Sequence, residues 1–208
     1  MVRTSKREET TNKNDLSFPP PLLGQLGAVV FFAILFANAH PTADGYAQFR
    51  KCHGNCVNGI LHAIGMPLAV QGVFLIIRSV SDAAEFTRYL QCIVVTLYLY
   101  LYLQYETNPY SPWIFYVFYM SFFEWIGYQR LYQSKQWNRQ SYLVTGMALV
   151  IVNVGALEAI GHGSLYENHH SYVSEFFNSV FHTPLYGINS ILTTLLGYER
   201  PDDHTCWW

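Results

Sequence analysis

The stretch ILHAIGMPLAVQGVFLII, residues 60–77, contains no charged side chain. A helix needs about 17–20 consecutive apolar, uncharged residues to cross a hydrocarbon core of ~30 Å. Three further stretches of similar length lack charge, and each of the four predicts a spanning helix. A fifth apolar stretch follows a polar arm and three prolines, and we interpret it as a membrane segment that can form one more span. These four other stretches are residues 89–105, 107–123, 140–157 and 22–39.

Composition supports a membrane protein. The chain has 208 residues, of which 51% are apolar and only 12% are charged, whereas Asp, Glu, Lys and Arg make up roughly 25% of a soluble domain. Of the 26 charged residues, 15 lie in the 177 residues from 22 to 198. A net charge of −2 without a basic stripe argues against nucleic-acid binding. We therefore predict a polar, disordered arm at 1–21, one helical membrane domain at 22–198 and a polar tail at 199–208.

The predicted fold is all-α, an integral membrane bundle of four to five spanning helices with an amphipathic C-terminal region at the membrane interface. Membrane backbone must satisfy its own hydrogen bonds, and the uncharged runs are too long for barrel strands. The segment YLYLYLQY at 98–105 alternates as a strand does, but it lies inside a long uncharged run, so we predict a helix with tyrosines along one side. Residues 171–198 contain apolar positions at helical spacing on both sides of Pro184, which predicts two short interfacial helices.

Charge distribution bears on orientation. If all five segments cross, nine Lys and Arg residues face one side and three face the other, which would place the N-terminal arm in the cytoplasm. If residues 22–39 do not cross, the division becomes five against seven and indicates no orientation. In both cases four spans separate His53 from His162, so these two histidines are predicted to lie on the same side of the membrane.

Five of the eight histidines fall in two short segments at that side. The first segment is HGNCVNGILHAIGMP, residues 53–67, in which Asn58 and His62 are four apart and share a helix face. The second is EAIGHGSLYENHH, residues 158–170, in which Glu158 and His162 form a similar pair. A carboxylate within a membrane helix costs roughly 2.5–3.5 kcal/mol unless it is paired, which marks Glu158 as a functional candidate. The imidazoles in these segments are His53, His62, His162, His169 and His170.

Imidazole and carboxylate ligands without a thiolate cluster suit non-haem Fe(II), and they also allow Zn, Cu or Ni. Glu158 could orient a metal-bound imidazole from outside the ligand set. The simpler reading is that these histidines are hydrogen-bonded structural residues at the membrane interface. Other catalytic patterns are weaker, because the chain has no GxSxG motif and no HxxHH box.

The motif H-x-x-x-x-N-x-x-x-H-x-x-G-x-P at 53–67 is followed by an apolar stretch that ends in GHG at 161–163, with Glu167 close behind. Together these motifs resemble the family of small endoplasmic-reticulum membrane dioxygenases that act on 2-hydroxy fatty acids. The resemblance covers roughly residues 46–197. Two departures lie near the second motif: Glu167 is five residues after His162 rather than the family's four, and a Pro-Ala-Leu sequence is replaced by His169, His170, Ser171 and Tyr172.

The resemblance implies a multi-pass protein of the endoplasmic reticulum that uses Fe(II) and O2 to cleave a 2-hydroxy fatty acid. The products would be CO2 and a fatty acid one carbon shorter, as in the fatty-acid α-oxidation of phytosphingosine (sphingolipid) breakdown. It implies that His53, His62 and His162 bind iron together with His169 or His170, supported by Asn58, Glu158 and Glu167. The partners would be the lipid substrate, O2 and the membrane. Two alternatives remain: a non-catalytic lipid-binding or scaffold protein, and another lipid-modifying metalloenzyme such as a hydroxylase.

Overall fold

The computed structural model of the protein describes residues 18–39, 41–51, 56–157 and 173–197. Within these ranges every regular element is helical, which confirms the predicted all-α fold. The α-helices are α1 (Pro21–Asn38), α2 (Ala43–Lys51), α3 (Cys56–Ser81), α4 (Ala84–Tyr105), α5 (Ser111–Phe122), α6 (Arg139–Val150) and α7 (Val173–Leu196). Two π-helical segments, π1 (Phe123–Tyr132) and π2 (Ile151–Leu157), directly continue α5 and α6.

Three of the described helices are long and apolar enough to cross a membrane. They are Pro21–Asn38, Val57–Ser81 and Ala84–Tyr105, and they correspond to the predicted segments 22–39, 60–77 and 89–105. The predicted segment 140–157 forms α6 and π2 together. The bundle is therefore a helical membrane domain. Two further helical runs, α5 with π1 and α6 with π2, each combine α-helical and π-helical turns.

The helix predicted at residues 107–123 begins and ends later in the chain than predicted, at Ser111 and Tyr132. Residues 107–110 form a turn, in which the Asn108 side chain accepts a hydrogen bond of 3.0 Å from the Tyr110 backbone N–H. The helical run then continues through π1 to Tyr132, past the charged residue Glu124. This charge is tolerated within the helix because Arg88 of α4 donates two hydrogen bonds, of 2.9 and 3.1 Å, to the Glu124 carboxylate.

The C-terminal prediction of two short interfacial helices is wrong. Residues Val173–Leu196 form a single helix with Pro184 inside it, and all ten residues from 181 to 190 are buried in the bundle. Proline has no N–H to bond the carbonyl four residues earlier, which here is that of Val180. Tyr98 of α4 donates a hydrogen bond of 3.3 Å to this carbonyl, and Tyr102 donates to the carbonyl of Phe181. These bonds allow the helix to pass Pro184.

The helices α1 and α6 both run antiparallel to α3. Phe32 of α1 stacks on Phe74 of α3 at 5.5 Å, and the start of α1 meets the end of α3 at Gly24 and Val80. At the start of α6, Arg139 donates hydrogen bonds to the backbone carbonyls of Ser79 (2.7 Å) and Val80 (3.3 Å). We call this the Arg139 end of the bundle.

The opposite end, where α3 begins, is called the His62 end. The helices α3 and α6 approach each other closely at Gly72 and Gly146, because a Cβ on Gly72 would lie 2.7 Å from the Gly146 carbonyl oxygen. From Gly146 the run continues through π2, which also packs against α3. Leu157 is thereby brought towards the His62 end, as expected for a chain that crosses four times between the two histidine segments.

Candidate functional site

Asn58 and His62, which were predicted to share a helix face, are both buried in the structure. Asn58 is 0% exposed and His62 is 5% exposed. The helix α7 covers this face at close range. A Cβ on Gly187 would lie 2.7 Å from the Ala63 Cα, so the two backbones approach this closely only because Gly187 has no side chain. Two polar residues near the start of a spanning helix are thus enclosed in protein.

His182 of α7 is a second buried histidine near this end. Its side chain is fully buried, and its Nδ1 lies 3.0 Å from the hydroxyl of Tyr105. The ring is enclosed by other rings, with centroid distances of 5.4 Å to Tyr46 and 5.9 Å to Phe49. The imidazole is therefore held in one orientation by a hydrogen bond and by packing.

An aromatic pair connects the two histidines. Tyr186, one helical turn after His182, lies 6.2 Å from the ring of His62. Phe49 of α2 lies 5.6 Å from Tyr186 and 5.9 Å from His182. His62 thus borders Tyr186 and His182 borders Phe49, and these two rings pack against each other. We call His62, His182, Phe49 and Tyr186 the histidine cluster.

A hydrogen-bonded network lies beside the histidine cluster. The amide of Asn189 donates to the Tyr46 hydroxyl at 2.9 Å and to the Glu106 carboxylate at 2.8 Å. The Ser111 hydroxyl donates to the amide oxygen of Asn189. A buried amide that is bonded at both its nitrogen and its oxygen stabilises one arrangement of its neighbours. The network therefore fixes α2, α5 and α7 together at the His62 end, with a carboxylate close by.

Tyrosines of the YLYLYLQY segment supply much of this arrangement. Tyr98, Tyr102 and Tyr105 follow helical spacing and all bond to α7, whereas Tyr100 is 62% exposed. The segment is therefore a helix, as predicted, and three of its four tyrosines line one side, whereas Tyr100 points away from it. Tyr105, Glu106 and His182 were not predicted as site residues from the sequence. The i, i+4, i+7 spacing of the three tyrosines was the signal for a shared face.

Six predicted site residues lie outside the described residues: His53, Glu158, His162, Glu167, His169 and His170. The prediction that these residues join His62 therefore stays a prediction. Among the described residues, no group of three or more His, Cys, Asp or Glu side chains is arranged to hold a metal ion. His62 and His182 provide two imidazoles of the type that iron prefers, so a complete ligand set would need donors from residues 53 or 158–170.

An apolar cavity of about 60 Å³ lies in the middle of the bundle, and none of the four residues of the histidine cluster lines it. Its lining comes from α1, α3, α4, α5, π1 and α7 and contains no charged side chain. Val180 and Pro184 of α7 both line it, whereas His182, two residues from each, projects from the opposite side of the helix. The polar end and the apolar interior of the bundle thus meet along α7.

Comparisons with known proteins give no match to this chain among family models, curated proteins or solved structures. The resemblance to the 2-hydroxy fatty acid dioxygenases rests on the motifs at 53–67 and 161–167. What the fold itself establishes is an all-helical membrane protein with a buried, histidine-containing polar cluster at one end.

Proposed function

We propose that this protein is an Fe(II)-dependent dioxygenase that shortens 2-hydroxy fatty acids by one carbon. In the proposed reaction R–CH(OH)–COOH and O2 give R–COOH, CO2 and H2O, with cleavage of the bond between the carboxyl carbon and the hydroxyl-bearing carbon. The observation that carries the proposal is the burial of two histidines at one end of a membrane bundle, His62 beside Tyr186 and His182 beside Phe49.

The chemistry of the site fits such a substrate. A 2-hydroxy fatty acid combines a polar head with a long hydrocarbon tail, and each buried CH2 group contributes ~0.8 kcal/mol to binding. The histidine cluster offers nitrogen ligands for iron, which when bound would orient the hydroxy-acid oxygens and O2 and stabilise developing negative charge. The apolar interior offers a place for the tail outside water.

The proposed ligand set is His53, His62 and His162, with His182 as a further candidate. Support for His162 comes from π2, which brings the chain at Leu157 towards the beginning of α3. Five residues then separate Leu157 from His162, which is enough chain to reach the start of α3.

His182 is preferred to His169 and His170 as the additional imidazole. Gly187 packs on Ala63, the residue after His62. Val173, the first residue of α7, lies fourteen residues before Gly187, which is about 21 Å along the helix. Three residues of chain, the separation of His170 from Val173, cover at most about 11 Å. His182 is only five residues before Gly187 and is already held beside Tyr105.

The remaining polar residues of the site would position the ligands. Tyr105 orients the His182 ring through Nδ1, as is common for the second nitrogen of a metal-bound imidazole. Asn58 shares the His62 face and is fully buried, so its amide is placed to bond a substrate oxygen or a neighbouring ligand. Glu158 and Glu167 keep the supporting roles that the resemblance implies.

Product analysis tests the proposal. Purified protein reconstituted with Fe(II) is incubated with 2-hydroxyhexadecanoic acid in air and under argon, and the products are identified by mass spectrometry. We expect pentadecanoic acid and CO2 in air and neither product under argon. An oxidised chain of unchanged length would instead identify a hydroxylase. No turnover and no bound metal in protein purified without chelator would favour a lipid-binding or scaffold role.

A further inference from the structure

We propose that the Arg139 end of the bundle binds the headgroup of an anionic phospholipid through Arg130, Lys135 and the indole ring of Trp125. This inference is independent of the proposed dioxygenase activity, because all three residues lie at the end of the bundle opposite to His62. It rests on the position of these side chains, on the charge that two of them carry and on the helical geometry that holds them.

The end of π1 lies at the membrane boundary on the Arg139 side. The continuous run of α5 and π1 begins at Ser111 near the His62 end and finishes at Tyr132. The hydroxyl of Tyr142 in α6 donates hydrogen bonds to the carbonyls of Leu131 (2.9 Å) and Tyr132 (3.3 Å). The last residues of π1 are therefore fixed against α6, directly after Arg130.

The π-helical geometry places Trp125 and Arg130 on the same side of this run. They are five residues apart, and in an α-helix such residues lie about 140° apart around the axis. In a π-helix, hydrogen bonds join residues five apart, so the two side chains lie one above the other. The Arg130 guanidinium carbon is 5.7 Å from the centroid of the Trp125 ring, and Trp125 is 57% exposed. An exposed cation over an exposed indole suits the headgroup level of a membrane, where tryptophan is enriched.

Arg130 and Lys135 carry positive charge that no carboxylate of the described residues neutralises. The described acidic side chains at this end already have other partners. These pairs are Arg88 with Glu124, Tyr128 with Glu85 and Arg78 with Asp82. Both unneutralised cations are exposed, so an anion from outside the protein can reach them.

A phospholipid headgroup matches the chemistry of this surface. The planar guanidinium of arginine binds phosphate oxygens through paired N–H donors, and lysine adds a point charge on a flexible stem. The indole of Trp125 beside these cations suits a ligand that joins an anionic head to an apolar body, whereas a free phosphate ion would leave the ring unused. If all five segments cross, the basic residues predict that this end faces the cytoplasm, where anionic lipids attract basic residues close to the membrane.

Competitive lipid binding tests the inference. Full-length protein in detergent is incubated with equal amounts of phosphatidylglycerol and phosphatidylcholine that carry the same acyl chains, and native mass spectrometry counts the lipids that the protein retains. We expect wild type to prefer phosphatidylglycerol at least tenfold. Arg130→Gln and Lys135→Gln should each lower this preference about fivefold, and the double variant should retain the two lipids about equally.

Two further variants distinguish a localised headgroup site from a general charge effect. Arg200→Gln removes the same charge from the C-terminal tail and should keep the preference of wild type. Trp125→Leu keeps an apolar side chain but removes the ring beside Arg130, and it should lower the preference severalfold.

The changes at Trp125, Arg130 and Lys135 affect exposed side chains, so we expect unchanged helix content by circular dichroism. Equal retention of both lipids by wild type, or an unchanged preference in the double variant, would overturn the inference. Displacement of phosphatidylglycerol by an equal amount of inorganic phosphate would also overturn it, because the ligand would then be a free anion.

Discussion

Tyr132 receives hydrogen bonds from two buried amide groups in the interior of the bundle. The side-chain nitrogens of Gln71 and Gln91 lie 2.9 and 2.7 Å from its hydroxyl oxygen, and the two glutamines are 1% and 2% exposed. Donors that are buried without an acceptor cost about 1–3 kcal/mol each. This tyrosine therefore makes it possible to bury two glutamines where α3, α4 and π1 meet.

Replacing Tyr132 by Phe should lower the free energy of unfolding by about 1–3 kcal/mol, because both amide donors lose their acceptor. Denaturant unfolding of the protein in detergent micelles, followed by circular dichroism, measures this change. Tyr100→Phe is the control, since Tyr100 is 62% exposed. Equal stability of both variants would show that the Tyr132 hydroxyl contributes nothing.

At the candidate site, the sequence predicted the position of some residues and not of others. Asn58 and His62 were assigned a common helix face from their spacing alone, because residues one helical turn apart share a face. His182 could not be placed, because its neighbours Tyr46, Phe49 and Tyr105 come from helices distant in sequence. Contacts of that kind depend on how helices pack, which local periodicity does not determine.

Helix packing depends on a few glycines. At Gly72 of α3 a Cβ would lie 2.7 Å from the carbonyl oxygen of Gly146 in α6, whereas at Gly27 of α1 no atom lies within 4 Å of a Cβ. We predict that Gly72→Ala destabilises the protein by about 1–3 kcal/mol through overpacking. Gly27→Ala should be neutral or stabilising by up to about 1 kcal/mol, because alanine favours the helix. Thermal unfolding of the two variants in the same detergent compares their stabilities. A smaller loss of stability in Gly72→Ala than in Gly27→Ala would contradict the close packing of α3 on α6.

The positions of the spanning helices along the chain followed from the absence of charge, and the residues at which they begin and end did not. Uncharged runs located α1, α3 and α4, since burial in hydrocarbon excludes unpaired charge. The run that includes π1 continues past Glu124 because Arg88 lies on the neighbouring helix, a pairing that the sequence does not reveal. The break predicted at Pro184 is absent from the structure. The hydroxyl groups that bond the carbonyls near Pro184 belong to α4, and the sequence does not reveal this pairing either.

At the scale of the whole molecule, basic residues gather at the Arg139 end. Arg78 and Arg88 lie near the end of α3 and the start of α4, and Arg139 begins α6. Arg139 joins the two termini of neighbouring helices by donating to Pro19 at 3.2 Å and Ser79 at 2.7 Å. Because α1 runs antiparallel to α3, we use the count in which residues 22–39 cross the membrane. Nine Lys and Arg residues then lie on the side of the Arg139 end and three on the other side, which predicts that the Arg139 end faces the cytoplasm.

Labelling with a membrane-impermeant maleimide tests this orientation. In a background without native cysteines, Gln136→Cys at the Arg139 end should react only when reagent reaches the cytoplasmic face. Ala43→Cys at the other end should react only from the opposite face, since both positions are exposed. Reaction of both residues from the same face would contradict the antiparallel bundle. If each cysteine instead reacts from the face predicted for the other, the antiparallel bundle is upheld and its orientation in the membrane is the reverse of the one predicted.

The central claim is that His62 belongs to an iron site shared with histidines that follow π2. Its most direct test is the iron content of purified protein, measured by inductively coupled plasma mass spectrometry after reconstitution with Fe(II) and removal of excess metal. We predict about one iron per chain in wild type and in His204→Ala, which alters only the polar tail, and a loss of at least tenfold in His62→Ala and His162→Ala with unchanged helix content. Iron retained in both of these variants, or absent from the wild type, would contradict the account.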